Sequence, residues 1–294
     1  MTYTFLDFFT DPLLRAPMLG SMILCAALSL LGVFVFVRRS SLIGETLSHA
    51  AYPGLMIGAT WMSTFMNPAQ EEGMALCLLF AFGTTLLALM FVRVLQRYIK
   101  SDAALCFTLA SFFGVGVLFG SRLQFTYPSW YRAMQVFLYG QTATLLDVHV
   151  MIYAIFLGVV LVYIALFYHK IQMVAFDPLY AKSLKVSLFF VDKGFWLLLA
   201  LGITLAMKSV GVVLISGMLV APALGARRCS TSLIHMLLFG CLLGTISAFT
   251  GNYLSVKCTE WISERLLLPT GPLIVLCSAL CALGTLVKKG DVPA

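Results

Sequence analysis

Charged side chains are scarce in this sequence, whereas apolar ones are abundant. Asp, Glu, Lys and Arg together make up 11% of the 294 residues, and 61% are hydrophobic. This shortage excludes an ordinary soluble domain, in which about 25% of residues are charged. Apolar segments recur along the whole chain, so a removable signal peptide does not account for them. The composition predicts an all-α polytopic membrane helix bundle, with residues 1–294 forming a single transmembrane domain.

Motifs for nucleotide binding and for hydrolysis are also absent. The sequence has no G-x-x-x-x-G-K-[ST] phosphate-binding loop, so the chain is not expected to bind ATP by itself. It has neither an H-E-x-x-H motif nor a Ser-His-Asp arrangement, which argues against an enzyme. The net charge of +7 comes from short, scattered basic pairs, so nucleic acid is not an expected partner. The cysteines mostly lie in apolar runs, and Cys277 and Cys281 leave a soft-metal site open as a minor alternative.

Apolar runs long enough to cross a bilayer divide the chain into eight or nine helices, each needing about 17 to 25 residues. The segments on either side of Lys208 are short, so they form either two spans or one broken, re-entrant pair. The candidate spans lie near residues 18–37, 41–63, 74–96, 103–120, 148–168, 194–208, 210–226, 233–251 and 270–287.

Basic residues set the orientation, because Lys and Arg are retained on the cytoplasmic side of the membrane. With nine crossings and the N-terminus outside, most of the 19 basic residues fall in inner loops. The N-terminus is therefore predicted outside and the C-terminus in the cytoplasm. The outer loop at 121–147 is rich in aromatic residues and predicts an interfacial helix, with a docking surface for an external partner as the alternative.

One acid-histidine pair stands out inside the predicted spans. Glu45 is the only acidic residue within a span, and His49 follows it at i+4, which places both side chains on one helical face. A carboxylate in hydrocarbon is costly unless it is paired or faces water, so the pair predicts an ion pathway. Carboxylate oxygen and imidazole nitrogen suit Mn, Fe or Zn. Two ligands are too few for tight binding, so a symmetric dimer is predicted to bring two pairs together.

An alternative interpretation gives the pair a purely structural role. Glu45 then pairs with Arg38 or Arg39 near the inner interface, and His49 is a satisfied core histidine. The helix that carries the pair is also predicted to be broken or kinked, with open room beside it, because it contains Gly44, Pro53 and Gly54.

Four stretches occur in the order typical of one transporter family. They are SLIGETLSHAAYPG at 41–54, AFDPLYAKSLKV at 175–186, VGVVLISGMLVAPALGARR at 210–228 and LPTGPLIVL at 268–276. They resemble the family elements G-D-x-L-S-H-x-x-x-P-G, F-D-P-x-x-A-x-x-x-G, V-G-x-L-L-V-x-x-x-L-x-x-P-A-x-x-A and P-x-G-P-x-I-V-L. The chain thus resembles the integral-membrane permease subunits of the manganese, zinc and iron ABC importers.

The resemblance implies a permease of the bacterial cytoplasmic membrane that moves a divalent transition-metal ion as its cargo and keeps no cofactor permanently. It implies two cytosolic ATPase subunits, an external solute-binding protein that delivers the metal, and a dimer with itself or with a paralogous permease. It also implies that Glu45 and His49 line the permeation path. The alternative is a secondary metal-ion transporter driven by a gradient.

Energy coupling is assigned by the same resemblance to two inner segments. The residues expected to couple to the ATPase are Asp177, Pro178, Pro222, Arg227 and Arg228, with the segment after Pro222 favoured for direct docking. Two positions depart from the family pattern. Glu45 stands where the family more often has Asp, and Lys185 replaces the usual glycine of the second motif.

Overall fold

The structure, a computed structural model, describes residues 11–65, 71–140, 142, 145–176, 188–262 and 269–287. In these ranges the regular secondary structure is helical, without a β-strand, which confirms the predicted all-α class. The ten helices described are α1 (Pro12–Val37), α2 (Leu42–Met62), α3 (Glu71–Leu95), α4 (Ser101–Thr126), α5 (Pro128–Tyr139), α6 (Asp147–Phe176), α7 (Leu188–Ser209), α8 (Val212–Cys229), α9 (Leu233–Ile262) and α10 (Thr270–Val287).

The chain divides into two compact units. The first unit comprises Met1–Ser41, Gln141–Leu198 and Gly217–Ala294, and the second comprises Leu42–Gly140 and Leu199–Ser216. Helices α7 and α8 therefore contribute residues to both units. The expectation of a single functional domain over 1–294 stays a prediction.

In the first unit, α1 is the central helix. It packs against α6 and α9, and α9 packs against α10. A buried amide links two of these helices, because the Nδ2 atom of Asn252 donates hydrogen bonds to the Ser21 hydroxyl and to the Ala248 carbonyl. Polar atoms between apolar helices need hydrogen-bond partners from the protein, because no water is available there.

In the second unit, α2 is the central helix. It packs against α3, α4 and α5, and most of its residues are buried. By contrast, α3 and α4 expose large apolar side chains, among them Leu79, Leu87 and Leu118. Thr46 and Ser48 of α2 are thus covered by protein, and the neighbouring helices present the apolar surface that lipid requires.

Five of the described helices are long and apolar enough to cross a membrane: the segments Leu14–Val37, Glu72–Leu95, Ser101–Thr126, Asp147–Met173 and Leu233–Cys258. The helix at Thr270–Thr285 is apolar but shorter. A polytopic helical bundle is therefore confirmed, whereas the count of eight or nine spans and the orientation of the termini stay predictions. Helix α2 is not among the five, because its polar residues lower its hydropathy although its neighbours bury it.

The predicted outer loop at 121–147 is largely helical. Helix α4 runs on to Thr126, and α5 follows at once with Pro128 as its first residue. One face of α5 is buried through Trp130, Met134 and Phe137, at the i, i+4, i+7 spacing of an amphipathic helix. The predicted helix exists, and its position at a membrane interface stays a prediction.

The short segments beside Lys208 form two helices, α7 and α8, joined by Val210 and Gly211. The backbone of this link lies against the end of α5, within the second unit. Gly211 has φ 89° and Gly140 has φ 73°, and a Cβ atom at either glycine would overlap backbone atoms of the other segment. Both glycines are needed, because a side chain would add steric overlap to an unfavourable backbone conformation.

Alanine at Gly140 is expected to destabilise the protein by about 2 kcal/mol or more, since a residue with a Cβ atom adopts φ 73° and ψ 142° only at a cost of order 1–3 kcal/mol. The matched control is Gly158→Ala in α6, where an added Cβ meets no atom within 4 Å. Equilibrium unfolding in lipid nanodiscs should show a loss for Gly140→Ala and no loss for Gly158→Ala. Equal stability of the two variants would contradict the backbone crossing.

Candidate functional site

Helix α2 places Glu45 in its first turn and His49 one turn later. The start of α2 is tied to α4, because the Thr46 hydroxyl donates hydrogen bonds to the Leu42 carbonyl at 3.0 Å and to the Leu105 carbonyl at 3.4 Å. The Ser48 hydroxyl donates to the Glu45 carbonyl at 2.9 Å. The start of α2, which carries both candidate ligands, is therefore fixed by hydrogen bonds within α2 and by one hydrogen bond to α4.

The helix is continuous through Pro53, so the predicted break does not occur. The prediction of open room beside it is also wrong at Gly54. A Cβ atom there would overlap the side chain of Thr84 and the backbone of Phe80 on α3. Gly54 therefore permits close packing of two helices, which is a common use of small residues between membrane helices.

His49 is half-buried and packs against an aromatic ring of α4. The centroids of the imidazole and of the Phe113 ring are 5.0 Å apart, and the ring planes meet at 83°. The Nδ1 atom of His49 is buried without a hydrogen-bond partner, whereas Nε2 is not among the buried unpartnered atoms of the described residues. Because no hydrogen bond from the described residues engages Nε2 either, this nitrogen is not fully buried.

Glu45 is also half-buried, and within the described part of the chain no hydrogen bond or ion pair engages its carboxylate. The alternative in which Arg38 or Arg39 neutralises Glu45 has no ion pair to support it among the described residues. Arg38 Nη1 lies 2.7 Å from Asp192 Oδ1, inside the first unit. Glu45 therefore keeps a carboxylate that is able to accept a cation.

The ligand face of α2 continues beyond His49 but is closed there by α4. Tyr52 and Met56 follow on the same face, and their side chains are 4% and 0% exposed. They pack against α4 where it carries Gly116 and Gly120. This face is thus covered at Tyr52 and Met56, directly beyond His49, whereas Glu45 and His49 are only half-buried.

A single chain does not provide a complete metal site in its described residues. No three His, Cys, Asp or Glu side chains there are close enough together to hold a metal ion, and this also applies to the soft-metal alternative at Cys277 and Cys281. Structural metal sites usually need four protein ligands, and catalytic sites three. The predicted pair of Glu45 and His49 amounts to two candidate ligands, a number that suits transient contact with an ion.

The predicted coupling residues are only partly described. Pro222 is buried inside α8, and Arg227 and Arg228 are exposed in its last turn. Asp177 and Pro178 lie outside the described residues, as does Lys185. The arginines at the end of α8 are accessible to a partner, and basic side chains there also suit the negative end of the helix dipole.

Sequence reasoning missed the ion pair between Arg38 and Asp192. The Trp196 Nε1–H donates to Asp192 Oδ2 at 3.2 Å, and the Arg38 guanidinium lies over the Phe195 ring at 4.8 Å. The predicted span began at residue 194, whereas α7 begins at Leu188, so Asp192 is inside a helix. An acid in the apolar run LFFVDKGFW was the available signal.

The comparisons with known proteins agree with the resemblance found in the motifs. The model of the ABC 3 transport family matches residues 10–289. A probable metal transport system membrane protein of Chlamydia pneumoniae is 32% identical over 93% of this chain and 62% of its own length. The manganese transport system membrane protein MntC of Bacillus subtilis is 28% identical over 90% of this chain and 59% of its own length. Other matching relatives are named for zinc and for iron transport.

This chain therefore spans about three fifths of the length of the first curated relatives that it matches. A solved structure, PsaBC from Streptococcus pneumoniae in complex with Fab, contains a chain with the same fold. Its TM-score is 0.81 at 23% identity, over 98% of this chain and 96% of that chain. The predicted localisation in the cytoplasmic membrane as a multi-pass protein is confirmed by the family and the apolar helices. The chain belongs to the ABC 3 transport family.

Proposed function

We propose that this chain is the permease subunit of an ABC importer that moves a divalent transition-metal ion across the cytoplasmic membrane. The proposal is carried by the Glu45 and His49 pair, which is half-buried at the start of α2 while Tyr52 and Met56 on the same face are buried. If α2 is one of the proposed spans, a carboxylate and an imidazole in it are costly to maintain without an ionic role. Relatives named for manganese, zinc and iron transport support the metal as cargo.

The cargo ion is bound by a dimer in this proposal. Two copies of the pair, contributed by this chain and by a second copy or a paralogous permease, complete a four-ligand set. Oxygen and nitrogen ligands in this number suit Mn²⁺, Fe²⁺ and Zn²⁺ alike, so selection among them depends on partners and on metal availability. Weak ligation by each chain allows the ion to leave on the inner side.

The energy comes from separate cytosolic ATPase subunits, since this chain has no phosphate-binding loop of its own. Helix α8 is the proposed docking element, with Arg227 and Arg228 exposed at its end. Asp177 and Pro178 form the second proposed contact. An external solute-binding protein delivers the ion to the outer side, and residues 1–294 act as one permease domain with eight or nine spans, the N-terminus outside.

Reconstitution tests this assignment directly. Liposomes that contain the permease with its ATPase and binding protein are expected to take up radioactive Mn²⁺ or Zn²⁺ only when ATP is supplied on the ATPase side. Liposomes with the permease alone, given a proton or sodium gradient, should take up neither ion. Gradient-driven uptake by the permease alone would overturn the proposal in favour of a secondary transporter.

A further inference from the structure

The proposed function assigns a role to Glu45 and His49 but none to Phe113, whose ring contacts His49. The Phe113 ring lies between two side chains of the α2 ligand face, with its centroid 5.0 Å from that of His49 and 5.5 Å from that of Tyr52. Helix α4 holds this ring in place because it approaches α2 closely. A Cβ atom at Gly116, three residues after Phe113, would overlap Tyr52 and lie 3.0 Å from the Pro53 nitrogen.

The two ring nitrogens of His49 have different surroundings. Nδ1 is buried with no acceptor for a hydrogen, and Nε2 retains accessible surface. A histidine that binds a metal ion uses a deprotonated nitrogen, so a ligating Nε2 places the hydrogen on Nδ1. In resident metal sites that second N–H almost always donates to a carboxylate, a carbonyl or water, which raises the basicity of the ligand. Here the ring of Phe113 packs on the imidazole, and Nδ1 has no hydrogen-bond partner in the part of the chain that the structure describes.

We propose that Phe113 is a positioning residue for the cargo ion. It orients the His49 imidazole so that Nε2 meets the ion, and it keeps Nδ1–H without an acceptor, which makes His49 a weaker donor than the histidine of a resident metal site. An ion held in this way is released more readily to the inner side. The inference rests on the proposed function, in which His49 contacts the ion.

Pulsed electron paramagnetic resonance with Cu²⁺ as the probe tests this geometry, because Cu²⁺ binds nitrogen sites more strongly than the other divalent first-row ions do. The signal of the remote imidazole nitrogen reports whether its N–H is hydrogen-bonded. The full chain in lipid nanodiscs is used, with the other three histidines replaced by alanine, so that a nitrogen signal lost in His49→Ala belongs to His49. Folding of every variant is checked by circular dichroism.

Phe113→Asn supplies an amide oxygen as an acceptor, and Phe113→Leu removes the ring but keeps an apolar side chain. We expect Asn to shift the remote-nitrogen signal to that of a hydrogen-bonded imidazole and to raise Cu²⁺ affinity about tenfold. Leu should broaden the signal, because the imidazole is no longer held in one orientation. The matched control is Phe119→Leu on the same helix, where the side chain is 37% exposed, and its signal should equal that of the parent.

The outcomes separate the two levels of the proposal. A His49 signal that is identical in the parent, Phe113→Asn and Phe113→Leu, with unchanged Cu²⁺ affinity, would overturn the role of Phe113 and leave the transport function in place. A parent without any His49 signal would overturn both. In the assembled transporter, Phe113→Asn should lower the KM for metal uptake and also lower kcat, since tighter binding slows release.

Discussion

Alanine at His49 is expected to lower metal uptake by the assembled transporter at least about tenfold, the lower end of the loss seen when groups that support a metal site are removed. His49 offers the accessible Nε2 atom at the open end of the α2 ligand face. In a dimer of two copies of this chain, one substitution removes two of the four proposed ligands. Uptake of Mn²⁺ and Zn²⁺ in cells, normalised to the amount of permease in the membrane, is the measurement.

His235→Ala is the matched control. His235 is exposed at the start of α9, and its Nδ1 atom lies 2.7 Å from the Ser232 hydroxyl, a contact typical of a helix terminus. This variant should take up metal like the parent. Normal uptake by His49→Ala would remove His49 from the ion path, and a loss in both variants would show that the effect is not specific to the site.

Glu45→Ala should reduce uptake to the same extent as His49→Ala, because it removes the anionic ligands of the proposed site. Glu45→Asp is the informative companion. It restores the residue that the related motifs more often carry, retains the carboxylate and shortens the side chain by one methylene. We expect uptake to persist and the preference among Mn²⁺, Fe²⁺ and Zn²⁺ to change. Loss of all uptake in Glu45→Asp would mean that the length of the side chain is essential.

The second large effect is expected at the ion pair between Arg38 and Asp192. Leucine at Asp192 should destabilise the protein by about 2–3 kcal/mol, which is below the 3–5 kcal/mol for breaking a fully buried pair because one partner is partly in contact with solvent. The Arg38 side chain is 9% exposed, and its Nε and Nη2 atoms are buried without hydrogen-bond partners. Removing Asp192 therefore takes away the ion pair of a buried cation, and the Phe195 and Trp196 rings remain as its neighbours.

Methionine at Arg38 should lower the free energy of unfolding less than leucine at Asp192 does. Asp192 is 38% exposed and still accepts a hydrogen bond from Trp196 when Arg38 is replaced by methionine. The double variant Arg38→Met, Asp192→Leu should also be more stable than Asp192→Leu alone, since it leaves no buried charge. Equilibrium unfolding in nanodiscs measures all three, with Arg39→Met, an exposed neighbour, as the control. A double variant less stable than Asp192→Leu would contradict this explanation.

Predictions that concern residues of a single helix agree with the described structure. Glu45 and His49 lie one turn apart on α2. The helix predicted from the aromatic residues at 121–147 corresponds to α5, which buries Trp130, Met134 and Phe137. A break or a kink was expected at Pro53. The break does not occur, because tight packing of α2 against its neighbours compensates for the local preference of proline, and the kink stays a prediction.

The sequence by itself determined the membrane class, the helical content and the placement of Glu45 and His49 on one helical face, because these depend on composition and on spacing within a few turns. The tertiary structure alone decided the partners: Phe113 beside His49, and Asp192 beside Arg38, 154 residues away along the chain. Such contacts depend on which faces of distant helices pack together. That is a property of the whole bundle, and no local stretch of residues contains it.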